Sequence, residues 1–155
     1  MSIVGTALPG ARVLDLFAGS GALGIEALSR GAESADFVET AAPSLAVLRA
    51  NLATVNAGDA ATVHRADVVK FIAKLEPAAF DIAFADPPYR TGLAQRVAER
   101  WLEVPFAQLL CIEHSAFDPL PGEADLRRYG STAISFYRAP AEPAERSPDS
   151  AHPTP

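Results

Sequence analysis

The chain has 155 residues, 49% of them hydrophobic and 21% charged, a balance that fits one globular domain with a sizeable core. Its apolar runs stop short of the ~20 residues that span a bilayer, and its single cysteine, Cys111, excludes an intrachain disulfide. The net charge of −6 argues against a broad nucleic-acid surface and leaves room for local arginine contacts. We therefore expect a cytoplasmic monomer with a buried, inert thiol and no membrane partner.

Strand and helix patterns alternate strictly along most of the chain. Apolar runs rich in β-branched residues predict five buried strands, at residues 12–17, 35–39, 61–64, 80–85 and 108–113. Apolar residues at helical spacing predict helices between them, at residues 22–30, 43–55, 69–75 and 93–103. The pattern of the last helix puts Arg96, Glu99, Arg100 and Glu103 on its solvent-exposed face. Such alternation indicates a parallel sheet with right-handed crossovers.

The two ends of the chain have other patterns. Residues 1–10 are weakly patterned, and we interpret them as a short lead-in. Two runs near the end, residues 125–129 and 133–137, predict an antiparallel pair at an edge of the sheet. Residues 139–155 contain five prolines and almost no large apolar side chain, which predicts a disordered tail. The sequence thus predicts an α/β fold with a mainly parallel seven-stranded sheet and helices on both faces.

A glycine-rich loop follows the first predicted strand. Gly19-Ser20-Gly21-Ala22-Leu23-Gly24 satisfies the G-x-G-x-x-G pattern, and the acid Glu39 lies eighteen residues beyond Gly21, which by itself is compatible with a dinucleotide site. A dinucleotide would place its pyrophosphate close to Asp15, where like charges would cost several kcal/mol. S-adenosylmethionine has no phosphate and carries two positive groups, so Asp15 favours that ligand.

Polar residues at the ends of the first three strands complete the predicted cofactor site. The glycine-loop amides can approach the methionine carboxylate, Glu39 can accept from both ribose hydroxyls, and Asp67 from the adenine amino group. Simpler explanations stay open, since Asp15 and Glu39 could be strand-end acids in water and Asp67 could cap its helix. The predicted cofactor-binding residues are Asp15, Phe17, Gly19, Ser20, Gly21, Glu39 and Asp67.

The motif Asp86-Pro87-Pro88-Tyr89 follows the fourth predicted strand, at the edge where ligands bind in open α/β sheets. Two prolines remove two backbone donors and hold the loop extended, so the Asp86 side chain and the proline carbonyls become acceptors without local partners. Acceptors beside the ring of Tyr89 suit a planar base that bears an exocyclic amine. These four residues therefore predict amine methylation, with a proline-rich turn capped by Asp86 as the alternative.

The segment Leu14–Ala32, taken with residues 86–89, closely resembles the RsmD-type 16S rRNA guanine-N2 methyltransferases. The resemblance extends from about Ala11 to Arg138 and includes Glu113. It implies a class I, Rossmann-like methyltransferase domain at residues 11–138 that uses S-adenosylmethionine. It also implies methyl transfer to N2 of one guanine of 16S rRNA, in the small ribosomal subunit or its assembly intermediate.

Two other hypotheses remain open. The D-P-P-Y motif is shared with adenine- and cytosine-amine methyltransferases, so DNA or another nucleobase amine is an alternative substrate. Members of the family usually begin with a basic segment of some tens of residues, rich in Arg and Gly, before the first strand, whereas this chain has about ten residues there. A cofactor-binding fragment without activity is therefore the third hypothesis.

The predicted chemistry needs no metal and no covalent intermediate. Asp86 and the Pro87 carbonyl would accept the two N–H groups of the amine and free its lone pair, which then displaces the methyl group in line. The Asp86 carboxylate would stabilise the positive charge that develops on nitrogen. Tyr89 would stack on a base turned out of its helix or loop.

Overall fold

The computed structural model describes residues 5–140, in which strands and helices alternate as the sequence predicts. The strands are β1 Arg12–Leu16, β2 Ser34–Glu39, β3 Ala61–Arg65, β4 Phe80–Ala85, β5 Ala107–Ser115, β6 Asp125–Tyr129 and β7 Thr132–Arg138. The helices are α1 Ala22–Ser29, α2 Ala42–Thr54, α3 Val68–Ala73 and α4 Leu93–Glu103, with short 3-10 turns at Gly5–Ala7 and Gly58–Ala60. Most predicted boundaries are therefore right to within one or two residues.

All seven strands form one sheet in the order β3-β2-β1-β4-β5-β7-β6. Strands β1 to β5 are parallel, whereas β7 pairs antiparallel with both β5 and β6. This confirms the predicted mainly parallel sheet with an antiparallel edge pair. The chain runs outward from β1 to β3 and then returns to β4 on the other side of β1. The carboxyl ends of β1 and β4 therefore form the switch point where such sheets bind ligands.

The strands separate two apolar layers because successive side chains point to opposite faces. Val13 packs in the layer that α1 and α2 cover, whereas Leu14 packs in the layer that α3 and α4 cover. Cys111 is buried in β5, and burial raises the pKa of its thiol to about 12, as expected for an inert core residue.

Arg100 corrects one sequence-based expectation. The amphipathic pattern of α4 predicts it on the wet face of that helix, but it is partly buried against α3. Its guanidinium donates to the carbonyl oxygens of Ile72, Ala73 and Leu75 at 3.1, 3.0 and 3.3 Å. The carbonyls at the end of a helix have no intrahelical donor, so Arg100 supplies one from outside.

The two predicted terminal segments are described in part. Leu8 of the predicted lead-in is fully buried, and residues 1–4 lie outside the described residues. At the other end, the Ala139 amide donates to the Gln108 carbonyl oxygen at 2.8 Å, which attaches the first residue of the predicted tail to β5. The rest of that tail, residues 141–155, also lies outside the described residues. Between residues 5 and 140, the helices are too short or too polar to cross a membrane.

Candidate active site

The loops that follow β1, β2, β3 and β4 surround one cavity of about 600 Å³ at the carboxyl edge of the sheet. That volume lies within the range of small-molecule sites. Seven of the residues predicted for the site line this cavity, namely Phe17, Glu39, Asp67, Asp86, Pro87, Pro88 and Tyr89. The parallel topology explains the convergence, because the carboxyl ends of neighbouring parallel strands meet at one edge.

The loop that carries Asp86 presents acceptors to this cavity. Pro87 is buried, whereas Asp86 and Tyr89 are exposed. Within residues 5–140 no hydrogen-bond donor reaches the Asp86 carboxylate or the Pro87 carbonyl oxygen. The Pro88 carbonyl differs from the prediction, because it accepts from the Thr91 hydroxyl at 2.8 Å. Two of the expected acceptors are therefore available to a ligand, and the third is occupied within the loop.

Partial burial raises the pKa of Asp86 above its usual range. The carboxyl group loses hydration where it meets the end of β4, and the neutral form suffers less from that loss. The ionised form, which can only accept hydrogen bonds, is thus reached at a higher pH than for a free aspartate.

The glycine loop is held down onto the sheet by contacts that tolerate no side chain. A Cβ on Gly24 would lie 2.4 Å from Cε1 of Phe37, so only glycine lets α1 approach β2 this closely. Gly21, immediately before α1, is in the left-handed region, at φ 83°. The Gly19 amide donates to Oε1 of Glu39 at 2.9 Å, which ties this loop to the end of β2.

Glu39 organises the second loop as well. Its Oε2 accepts from the amides of Thr40 and Ala41 at 2.8 and 2.9 Å. The carboxylate is half-buried and fixed in orientation, and it lines the cavity with about one acceptor site left, on Oε1. Its predicted contact with ribose hydroxyls stays a prediction.

Asp15 lies beneath the glycine loop and does not line the cavity. It is only 2% exposed, and its Oδ2 accepts from the Gly24 amide at 3.0 Å. Burial raises its pKa to about 7, and the nearby charges of Asp86 and Glu39 add to that rise. Asp15 pairs with Phe84 of β4, so it lies close to the strand end that leads into Asp86, and the charge of Asp86 reaches it. Its effect on a ligand in the cavity would therefore be electrostatic.

The remaining predicted residues divide into two groups. Asp67 immediately precedes α3, and its Oδ2 accepts from the Lys70 amide at 2.9 Å. The helix-cap interpretation is therefore confirmed, and the residue also lines the cavity. Ser20 and the two neighbouring glycines do not line the cavity. The Ser20 carbonyl instead accepts from Nδ2 of Asn51 at 2.9 Å. A direct contact between these loop amides and a cofactor stays a prediction.

Glu113, at the end of β5, belongs to the same group of acids, although it was not among the predicted site residues. Burial, and then the charge of Asp86, raise its pKa. Its position at the carboxyl end of a strand is the signal that could have identified it. Within residues 5–140, none of Asp15, Asp86 and Glu113 forms an ion pair. The site therefore carries uncompensated negative charge and suits a cationic ligand.

Comparisons with known proteins bear on this geometry. The family model described as conserved hypothetical protein 95 matches residues 1–138. The chain is 32% identical over 148 residues to "Putative rRNA methyltransferase YlbH" of Bacillus subtilis, covering 88% of this chain and 80% of that protein. It is 45% identical over 85 residues to ribosomal RNA small subunit methyltransferase D of Escherichia coli K12, covering 55% of this chain but only 42% of that relative.

One solved structure extends the comparison to three dimensions. The structure described as "Putative methyltransferase yhhF from Escherichia coli" superposes with a TM-score of 0.76 at 33% identity. The superposition covers 88% of this chain and 80% of that one. The sheet and its surrounding helices therefore have the class I methyltransferase fold.

Proposed function

The chain belongs to the RsmD-type family, to which the conserved hypothetical protein 95 model corresponds, and from that membership we propose that it is an rRNA methyltransferase. The methyl group of S-adenosylmethionine is transferred to the exocyclic N2 amine of a guanine in small-subunit 16S rRNA. One observation carries the proposal: the Asp86 loop and the polar ends of β2 and β3 line a single cavity. A methyl donor and an acceptor amine can meet only if their sites adjoin in this way.

The residues around the cavity fit S-adenosylmethionine, which supplies an activated methyl group on a positively charged sulfur. Glu39 and Asp67 provide acceptors for the ribose hydroxyls and the adenine amino group, and Phe17 provides an apolar surface. The unpaired carboxylates of Asp15 and Asp86 favour a cation electrostatically. A phosphate-bearing dinucleotide would meet repulsion at the same place.

The Asp86 loop holds the amine. The carboxylate of Asp86 and the carbonyl oxygen of Pro87 accept its two N–H groups, because no donor within residues 5–140 occupies either atom. Tyr89, which is 54% exposed, stacks on the base that bears the amine. The N–C bond forms as the S–CH₃ bond breaks, the sulfur leaves as the neutral thioether of S-adenosylhomocysteine, and the nitrogen loses one proton to give the methylated amine. Asp86 stabilises the positive charge that develops on the nitrogen before that proton is lost.

The test is transfer of labelled methyl groups to small ribosomal subunits that lack the modification, with wild type compared with Asp86→Asn. We expect transfer by Asp86→Asn to fall by about 10²- to 10³-fold, the usual loss when one preorganised electrostatic group is removed. Binding of S-adenosylmethionine should change far less, because Glu39 and Asp67 are untouched. Asp59→Asn, at an exposed acid outside the cavity, is the matched control.

The substrate is tested in the same assay by offering assembled subunits, naked 16S rRNA and duplex DNA in parallel. Preference for DNA would replace the rRNA proposal with the alternative nucleobase-amine function. Cofactor binding without transfer to any of the three would support the inactive-fragment hypothesis. Equal transfer by wild type and Asp86→Asn would remove the role of that carboxylate.

A further inference from the structure

Three aromatic side chains are exposed at the carboxyl edge of the sheet. Tyr89 is 54% exposed, Phe117 80% and Tyr129 62%, and no other aromatic residue between 5 and 140 is among the exposed large hydrophobic side chains. Exposed rings contribute little to the core, and grouped apolar surface usually marks an interaction site. Tyr89 belongs to the Asp86 loop, whereas Phe117 and Tyr129 have no part in the chemistry proposed above.

Tyr89 and Tyr129 are connected through Thr132, the first residue of β7. Thr132 pairs with Tyr129 across the β6–β7 hairpin. Its Oγ1 lies 3.3 Å from the Tyr89 hydroxyl oxygen. The turn of the hairpin therefore contacts the loop that presents the acceptors for the amine.

Phe117 approaches the same turn from β5. The amide of Ala116, its neighbour in the chain, donates to the Ser131 carbonyl oxygen at 2.8 Å. A second cavity, of about 390 Å³, opens between the loop of Tyr89 and the end of β5, and Arg90 and Ser115 are among the residues that line it. Of the three rings, only Tyr89 lines this cavity, whereas Phe117 and Tyr129 belong to the two segments that meet at the hairpin turn beside it.

Arginine accompanies the rings along the sequence. Arg90 follows Tyr89, and Arg128 precedes Tyr129. Within residues 5–140 neither arginine forms an ion pair, and Arg127 meets Asp125 only at 3.5 Å with both side chains about half exposed, a weak contact. Every residue of β6 is exposed. A chain of net charge −6 therefore keeps unpaired guanidinium groups beside its exposed rings.

We propose that this region, the hairpin edge, binds single-stranded RNA that flanks the methylated nucleotide. It consists of Tyr89, Arg90, Phe117, Arg128 and Tyr129, and the proposal rests on the proposed function. Unstacked bases of a single strand can lie on the exposed rings, and the guanidinium groups at this edge of the sheet can bind its phosphates. Tyr89 lines both cavities, so a strand held here leads to Asp86. A duplex keeps its bases stacked and offers phosphates only.

The experiment measures binding of a fluorescein-labelled single-stranded RNA of mixed sequence, about 12 nucleotides long, by anisotropy. Wild type should bind it more tightly than the corresponding RNA duplex. Tyr129→Ala and Phe117→Ala should each raise Kd about tenfold, the effect of losing one stacked base. Arg128→Ala should lower the slope of log Kd against log salt concentration by about 0.7, one phosphate contact to a single strand.

Matched controls come from the exposed side of α2, where Val47→Ala and Arg49→Ala should leave Kd and its salt slope unchanged. Circular dichroism and S-adenosylmethionine titration report whether each variant is folded. If Tyr129→Ala perturbs the hairpin, Phe117→Ala tests the surface alone, because its ring is 80% exposed.

The outcomes separate this proposal from the proposed function. Equal Kd values in wild type and in the aromatic variants would overturn the proposal that the hairpin edge binds RNA. Failure of wild type to bind the RNA would overturn it as well. Unchanged KM for small subunits in Phe117→Ala and Tyr129→Ala also overturns it, while the methyltransferase function stands. If the Kd values for RNA follow the expected order but no rRNA is methylated, the result supports RNA binding at the hairpin edge and contradicts the methyltransferase function.

Discussion

Asp15, Asp86 and Glu113 are carboxyl groups at the ends of three neighbouring strands, and burial raises the pKa of each. The charge of Asp86 raises the pKa of the other two further. Acidic groups that are costly to ionise are retained at functional sites when a ligand compensates their charge. We therefore expect these residues to lower the stability of the free protein and to favour binding of a cation.

The substitution Asp15→Asn tests this cost. The pKa of Asp15 is about 7 in the folded protein against 3.8 for the free residue, so between these values the native state binds more protons than the unfolded state. Stability is therefore lost as pH rises through this window. Asn keeps an acceptor for the Gly24 amide and never ionises. The free energy of unfolding of Asp15→Asn, relative to that of wild type, should thus be higher at pH 8 than at pH 4.5, by on the order of 3 kcal/mol.

Urea unfolding of both proteins at the two pH values measures this difference. Asp59→Asn, at an exposed position, should show no comparable pH dependence. A stability difference between Asp15→Asn and wild type that is the same at pH 4.5 and pH 8 would contradict the raised pKa of Asp15.

Helix α3 shows how an element of only six residues is stabilised from outside. Isolated helices of this length are not stable in water. Asp67 caps its first turn, Val68 and Ile72 bury its apolar side, and Arg100 of α4 binds its last carbonyls. Because Asp67 also lines the larger cavity, the order of α3 and the shape of that cavity are connected.

Arg100→Ala should destabilise the protein by about 2 kcal/mol, because partly buried carbonyls lose a charged donor. Arg100→Lys should recover only part of that loss, since one ammonium group cannot reach three carbonyls as the planar guanidinium does. Affinity for S-adenosylmethionine should fall as α3 frays around Asp67. Denaturant unfolding and cofactor titration measure both effects, with Arg96→Ala on the exposed side of α4 as the control. Equal losses in Arg96→Ala and Arg100→Ala would show that the contact with α3 contributes nothing.

The charge of the whole molecule has the same sign as the charge of its site. The chain carries −6 in total, and its carboxylates with raised pKa values face the switch point between β1 and β4. Deprotonation of these groups strengthens the negative potential there, so a cation should bind more tightly as pH rises. The affinity of a neutral analogue of the same shape should rise less over the same pH range.

S-adenosylmethionine and S-adenosylhomocysteine differ by the methyl group and by the positive charge on sulfur, which makes them a matched pair of probes. Between pH 5.5 and pH 8 we expect the Kd of the first to fall by more than the Kd of the second. Isothermal titration of both ligands at the two pH values measures the difference, and Asp86→Asn should reduce it. Parallel pH profiles for the two ligands would mean that the carboxylates do not interact with the sulfur.

Local signals in the sequence were enough to predict the elements and the kind of sheet. Hydrophobic periodicity and the glycine and proline positions are properties of short stretches, so β1 to β7 and α1 to α4 could be predicted within one or two residues at most boundaries. The same signals put the glycine loop and the Asp86 loop at carboxyl ends of strands, where ligands bind in this class of sheet.

Contacts between distant residues decided the rest. Asp15 lies under α1 because the Gly24 amide reaches it, and Arg100 leaves the wet face of α4 because α3 ends beside it. Glu113 comes near Asp86 because β5 lies beside β4 in the sheet. Thr132 contacts Tyr89 because β7 lies on the other side of β5. Periodicity shows which face of an element is apolar, whereas partners for individual polar atoms depend on how the elements pack together.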